Sequence, residues 1–482
     1  MTIIRPCKGL EPFLYDCLRS SLLQHYPREK LTVYFCVESR EDLAWDTIQH
    51  VLREFPNNDA KAFVEQDNVL PSATNSYVPR LGPNPKIRNM SRAYREAKGD
   101  LAWILDCNIW VNPGACGRMV DQLCGLSNDG LSQPYKFVHH LPVAIDVPIK
   151  EAFAYTRSAK PQRNISKASA SEGKFLGGRL DEAFLSSAHA KMYVAINTVA
   201  VAPCICGKSS MFRRSHLNAL TNEDRSTETR PGSGIDAFSE NICEDHLIGD
   251  LLWKAPMPST MPPASRRWRN HGLVYADIAY QPISAMTVSA YMARRVRWLR
   301  VRKFTVPVAT LVEPGTEALL CSAIGVFGLM NHSWVRSQLQ PSFFVFAMFW
   351  ISSLVIWAMV DFMVYGLLQS RKTVELSDSS AQAIPNFIHP HSRHRRSFVS
   401  WVASWIGREA LTLPIWSWAI WGGATVVWRS RRLWVGFDMK VHEIEEDNLN
   451  EQLEPLLVNH LSANMHENIV NVGSGHAKAR RD

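Results

Sequence analysis

The sequence predicts an α/β domain with a mostly parallel sheet, followed by C-terminal membrane helices. Three observations carry this. Short β-branched or aromatic runs alternate with stretches of helical periodicity through residues 1–302. Carboxylates stand just past the ends of two of those runs, where parallel sheets bind ligands. From about Thr316 the chain turns strongly apolar, with arginine clusters between the apolar segments.

Residues 2–4 and 32–37 read as buried parallel strands. Between them, apolar residues at 13, 14, 18, 22 and 23 predict a helix from Pro12 to His25. Trp45 to Phe55 is a second helical stretch, and Ala62-Phe63-Val64 a short strand. Glu38, Glu41 and Asp42 follow the second strand. Gly82 to Asn89 is a rigid loop entering a helix at about Lys86. A lysine there opposes the helix dipole, so either an anion lies nearby or the side chain is simply at the surface. Leu101-Ala102-Trp103-Ile104-Leu105 is the best strand in the chain and ends in Asp106. A carboxylate at the tip of so apolar a run points to a ligand.

Tyr155 to Gly178 is rich in Ser, Ala, Lys and Gly and reads as a flexible insertion; 221–236 and 256–270 are further loops. Phe184 to Tyr193 is ordered and contains His189, open to reading as a core histidine or a site residue. Cys206-Gly207-Lys208 looks like a turn feeding a strand, without the spacing of a nucleotide P-loop. Ile242 to Asp250 opens a helix whose Ile242, Leu247, Leu251 and Leu252 should face a core. Its Glu244 and Asp245 are either ordinary first-turn acids or a base at a pocket rim. Arg294-Arg295-Val296-Arg297-Trp298 is a cationic cluster with an aromatic anchor.

Ala318 to Met330 just reaches spanning length with its flanks, and Phe343 to Leu368 is ample, with only Asp361 charged. Residues 371–396 form a basic loop. Phe398 to Trp428 is tryptophan-rich and interrupted by Arg408-Glu409 and Pro414, so it reads better as re-entrant or interfacial than as a single crossing. The expected organisation is therefore 1–302 as the soluble domain, 303–436 as a membrane region with two or three apolar segments, and 437–482 as a disordered tail. The first strand begins at Thr2, so no signal peptide or leading membrane helix is expected. A net charge of +8 concentrated in arginine clusters beside apolar segments suits anionic lipid headgroups and not a nucleic-acid groove. The 10 cysteines contain no CxxC pair and read as free thiols facing the cytosol.

Asp42, Asp106, Asp245 and Arg294-x-x-Arg297-Trp298 together resemble the D, D, D, (Q/R)xxRW pattern of family 2 glycosyltransferases. Asn84-Pro85-Lys86-Ile87, Trp103-Ile104-x-Asp106, His189, Glu244-Asp245, Glu313-Pro314 and Arg408-Glu409 narrow the resemblance to the ceramide-glucosylating branch, family 21, with inserts of a fungal kind. It covers about residues 2 to 436, apart from the loops. The resemblance implies a GT-A fold and transfer of glucose from UDP-glucose to the primary hydroxyl of ceramide, with inversion. It implies a Mg2+ or Mn2+ ion held by Asp106, Asp245 as general base, and Asp42 at the uridine diphosphate end of the donor. Lys86 would face donor phosphate, His189 would belong to the active site, and Arg294, Arg297 and Trp298 would close over the diphosphate and help hold the acceptor. It also implies a multi-pass protein of the Golgi or endoplasmic reticulum, its catalytic domain facing the cytosol. Two departures stand out: the family's N-terminal membrane helix has no counterpart, and Asp106 is followed by Cys107-Asn108 and not by a second aspartate. The rival readings are a processive polysaccharide synthase of the same superfamily, which typically carries Gln-x-x-Arg-Trp and more membrane helices, and an inactive lipid-binding or scaffold protein.

Overall fold

The computed structural model describes residues 1–68, 81–127, 130–153, 175–222, 232–258, 267–375, 384–389, 396–428 and 431–444. The predicted insertion at 155–178 falls outside these apart from its last residues, where Gly177 and Gly178 open a helix. The tail beyond 444 also lies outside them.

Seven strands form one sheet. In chain order they are β1 (Thr2–Pro6), β2 (Thr32–Val37), β3 (Asp59–Val64), β4 (Leu101–Leu105), β5 (Phe137–Asp146), β6 (Ser209–Arg213) and β7 (Gly272–Ile283). The spatial order is β3-β2-β1-β4-β6-β5-β7. β6 alone runs antiparallel, to both β4 and β5; the other pairings are parallel. The mostly parallel sheet is thus present.

Side chains alternate across it, as a period of two requires. Ile3, Val33, Phe35, Trp103 and Leu105 pack on one face against α1 (Leu14–Ser20), α2 (Trp45–Glu54) and α4 (Ala115–Cys124). Ile4, Tyr34, Cys36 and Ile104 pack on the other against Ile87, Met90 and Tyr94 of α3 (Pro85–Arg95) and Ile248 and Leu252 of α7 (Glu244–Lys254). The first predicted helix is shorter than its apolar pattern suggested, because Phe13 sits in the left-handed region at φ 51° and delays its start. The buried stripe of α7 is Glu244, Ile248 and Leu252, with Leu251 half-buried. Ile242 packs instead in a separate cluster with Val301 and Val426.

Two more helices, α5 (Gly177–Leu185) and α6 (Ala188–Val199), lead from the insertion to the loop before β6. Beyond β7 comes α8 (Val288–Thr305), then α9 (Ala318–Asn331), α10 (Phe343–Leu368) and α11 (Phe398–Trp421). By length and composition, α10 is the one described helix able to cross a membrane alone, with a mean hydropathy of 2.3 over its most apolar window. Pro307–Thr316 and Ala318–Asn331 pass that test only as a pair, bent by 77°. After α10 the chain returns to the α/β domain: Gln369 Nε2 donates to the Ala144 carbonyl at 2.8 Å, and Asn112 Nδ2 to the Thr373 carbonyl at 3.0 Å.

α11 is continuous through Arg408, Glu409 and Pro414, where the sequence suggested interruption. The two charges are buried and paired with each other, so they do not break the helix. Both ends of α11 are tied to the domain. Arg396, just before it, donates to the Asp146 carboxylate at 2.6 Å. At its end Arg300 and Lys303 of α8 donate to the carbonyls of Gly422 and Gly423 at 2.6 and 2.7 Å, the kind of group that suits a helix C-terminus. A small antiparallel sheet follows, with strands Thr425–Trp428, Arg431–Val435 and Val441–Glu443. It meets the domain where Asn241 Nδ2 donates to the Met439 carbonyl at 3.0 Å.

Candidate functional site

The candidate site gathers where the loop after β4, the start of α3, the loop before β6 and the first turn of α7 meet. Asn84 caps α3: its side-chain oxygen accepts from the backbone N–H groups of Lys86 and Ile87 at 2.8 and 3.1 Å. That cap fixes Lys86 in the first turn. Its ammonium is 3.3 Å from Asp106 Oδ1, 3.2 Å from Glu244 Oε1 and 3.1 Å from Asp245 Oδ2, and it also donates to the Gly207 carbonyl at 3.3 Å. The lysine that opposes its own helix dipole is therefore explained by anions. Burial disfavours its charge, yet Asp106, Asp245 and Glu244 outweigh that and hold its pKa well above the usual lysine value.

Asp106 is fixed at the β4 tip through its backbone N–H, which donates to the Lys208 carbonyl at 3.0 Å. Its other carboxylate oxygen accepts from Lys208 Nζ at 2.9 Å. Burial pushes this carboxyl up, but the two lysines win and bring it to about 2. Glu244 goes the other way: burial and the neighbouring Asp245 raise it to about 7 against the pull of Lys86. Exposure separates the two acids of α7. The Glu244 side chain is 3% exposed and Asp245 is 21% exposed, so Asp245 faces the mouth of the site. Gly207 lies so close that a Cβ there would stand 1.6 Å from Asp245 Oδ2; only glycine allows this approach.

Asp42 sits apart, at the β2 end. Its Oδ1 accepts from the backbone N–H groups of Gly9 and Ala44 at 2.8 and 2.9 Å, and Lys8 Nζ lies 3.5 Å from Oδ2. It thereby clamps the loops following β1 and β2. On α8, Arg294 donates to Gln281 Oε1 at 3.2 Å, lies 3.5 Å from Asp181 and stacks over Trp298 at 4.7 Å. Arg295 pairs with Glu313 at 3.0 Å and covers the Phe184 ring. Arg297 and Trp298 are half-buried on the same helix.

His189 stacks on Tyr193 at 5.3 Å, and burial together with Arg295, Arg302 and Arg294 lowers its pKa to about 3. It is therefore a neutral imidazole beside a cationic helix. Tyr193 links it to the site, because the Tyr193 hydroxyl accepts from the Cys206 N–H at 3.4 Å. The Cys206 thiol, pushed up to about 11 by burial, feels Lys208, Asp245, Asp106 and Arg294 together, which places the α8 arginine in the same neighbourhood as the carboxylates.

Sequence reasoning did not single out Lys208, Cys206 or Gly207 as site residues. Nothing local marks them: they enter because antiparallel β6 is inserted beside β4, and strand order is not written in the periodicity of either strand.

The sequence profile described as glycosyl transferase family 21 matches residues 1–146 and 166–441. A ceramide glucosyltransferase of Pyricularia oryzae is 45% identical over 455 residues, spanning 92% of this chain and 86% of the relative. One of Gibberella zeae is 41% identical over 486 residues, spanning 97% and 90%. Among solved structures, a mannosyltransferase of Pyrobaculum calidifontis in complex with GDP-Man and Mn2+ covers 86% of each chain at 12% identity and a TM-score of 0.30, too distant for any conclusion about this chain.

Proposed function

Because the chain belongs to glycosyl transferase family 21, we propose that it transfers glucose from UDP-glucose to the primary hydroxyl of ceramide, making glucosylceramide. The observation that carries this reading, beside the close relatives that bear that name, is the placement of Asp106 and Asp245 on one lysine at the mouth of a GT-A-like sheet.

Asp245 is the general base. It takes the proton of the acceptor hydroxyl while the oxygen attacks the anomeric carbon from the face opposite the departing diphosphate, which inverts that centre. Glu244 is raised to about 7 by burial and by Asp245, but it is sealed behind Lys86 and Asn84, out of reach of an acceptor. Its part is to hold the lysine and the start of α7. Lys86 offsets negative charge as the nucleoside diphosphate leaves. Arg294, Arg297 and Trp298 close over the diphosphate on the side toward α8, with His189 behind them, and Asp42 orders the loops that receive the uridine end.

Asp106 offers what a magnesium or manganese ion prefers, a carboxylate oxygen. The cluster fits such an ion in kind, although both oxygens of Asp106 hold lysines and no group of three His, Cys, Asp or Glu side chains stands ready among the described residues. When bound, the ion neutralises charge on the departing diphosphate. We place α10 across the bilayer of the Golgi or endoplasmic reticulum, with α9 beside it, the α/β domain and the loop after α10 in the cytosol, and α11 along the membrane surface.

The test is incubation of the membrane-bound chain with UDP-glucose, ceramide and magnesium. Glucosylceramide is the expected product. Donor hydrolysis without it would assign another acceptor.

A further inference from the structure

Resting on that donor reading, Lys208 offers more than a structural contact. Each oxygen of the Asp106 carboxylate holds its own lysine: Lys86 Nζ at 3.3 Å from Oδ1 and Lys208 Nζ at 2.9 Å from Oδ2. The two lysines are not equivalent. Lys86 is 6% exposed and also serves Asp245, Glu244 and the Gly207 carbonyl; moving it would strand the buried Glu244 carboxylate at high cost. Lys208 is 16% exposed, and among the described residues its ammonium binds Asp106 alone.

The backbone beneath it is fixed. The Lys208 carbonyl accepts from the Asp106 N–H at 3.0 Å, and its own N–H donates to the Cys206 carbonyl at 2.7 Å. Cys206 is in turn held by the Tyr193 hydroxyl at 3.4 Å. Only the flexible stem is then free to turn, about a backbone that stays in register with Asp106. Charge supplies the reason to turn. Three carboxylates face two ammonium groups, so the fully ionised cluster is negative by one charge before any donor enters. A nucleoside diphosphate adds more negative charge, which calls for a divalent cation, and Asp106 offers a carboxylate that could share one. A cation on Oδ2 displaces the ammonium there, and the nearest strong acceptor for the released group is then a phosphate oxygen.

We propose that Lys208 is an exchangeable counter-ion: it holds Asp106 in the cation's place while the site is empty, and passes to the diphosphate when cation and donor enter. Lys208 thereby becomes a donor-binding residue, and cation and nucleotide bind with positive coupling because each gives the ammonium or the carboxylate a new partner.

The full-length protein in detergent, Lys208→Met and Lys208→Arg test this. Free Mn2+ is followed by electron paramagnetic resonance without nucleotide, and UDP binding by calorimetry at saturating Mn2+. Lys208→Met is expected to bind Mn2+ alone about tenfold more tightly, since Asp106 is vacated, yet UDP about tenfold more weakly, since a charge-assisted hydrogen bond to phosphate is gone. Lys208→Arg keeps the charge and should retain most of the UDP affinity, which guards against a merely misfolded Met variant. Unchanged or weaker Mn2+ binding by Lys208→Met overturns the exchange. Tighter Mn2+ with unchanged UDP overturns the transfer to phosphate. The Mn2+ arm needs no nucleotide, so failure of the donor reading would show separately, as wild-type protein that binds no UDP.

Discussion

At the scale of single residues, two acids adjacent in sequence have different work because their environments differ. Asp245 reaches the mouth of the site and Glu244 does not. Asp245→Asn should abolish glucosyl transfer, by about 10²-fold or more for a lost general base, while calorimetry finds UDP affinity within a few-fold of wild type. Full turnover in this variant would remove Asp245 as the base. Glu244 gives a stability signature instead. Its pKa is raised from the usual 4.5 to about 7 by burial and by Asp245, so between those values the folded state binds more protons than the unfolded chain. Stability attributable to Glu244 must therefore fall as pH rises through that window. Melting temperature should decline from about pH 5 to pH 7 in the wild type, and Glu244→Gln should flatten that decline. A slope unchanged by the substitution would assign the proton elsewhere.

At the scale of elements, a charged network joins the membrane-like helices to α6. Asp361 of α10 accepts from Trp405 Nε1 at 2.7 Å and pairs with Arg408 of α11 at 3.2 Å and with Lys191 of α6. Arg408 also meets Glu409 and Ser187, the residue just before α6. Asp361→Ala would leave the buried Arg408 and the half-buried Lys191 short of their shared acid, a loss of about 3–5 kcal/mol, read as a lowered melting temperature in detergent; a negligible shift would mean that water already serves these groups. The elements themselves differ in how far the sequence revealed them. β2 and β4 follow from unbroken apolar runs, and α10 from its length and composition. The start of α3 follows from Asn84 and Pro85. β5 and β7 were not legible: Phe137–Asp146 carries two histidines and a proline, and its burial depends on partners distant in sequence, Gly272–Ile283 among them. The same cause hid Lys208. Asp106 and Asp245 could be picked out because each ends or begins an element with a clear pattern, whereas the lysine joining Asp106 to the β6 loop depends on which strand lies beside which.

At the scale of the whole molecule, the apolar and polar surfaces are segregated. α9 and α10 pack as a pair, with Trp350 Nε1 donating to the Leu319 carbonyl at 3.1 Å and Ser353 bonding Ser322 at 2.8 Å. Among the described residues nothing covers their outward side chains: Ile324, Phe327, Ile351, Val355 and Met359 are between 53% and 66% exposed. A folded protein leaves so continuous an apolar face only where another apolar medium meets it. α11 adds Val399, Ile406 and Trp421 to the exposed set while both its ends remain bonded to the α/β domain, an arrangement that suits a helix lying on the interface better than one crossing it. These two roles make different demands on membrane retention. Ile351, Val355 and Met359 recur every four residues and so share one face of α10. Replacing all three with lysine puts charges on that apolar face, each costing about 2.5–3.5 kcal/mol at the centre of a bilayer. The wild-type chain should stay in the membrane pellet after an alkaline carbonate wash, and the triple variant should pass into the supernatant. Replacing Val399 and Ile406 with lysine should leave the chain in the pellet, because the apolar face of α10 is unchanged. Release of the α11 variant with retention of the α10 variant would exchange the roles of the two helices.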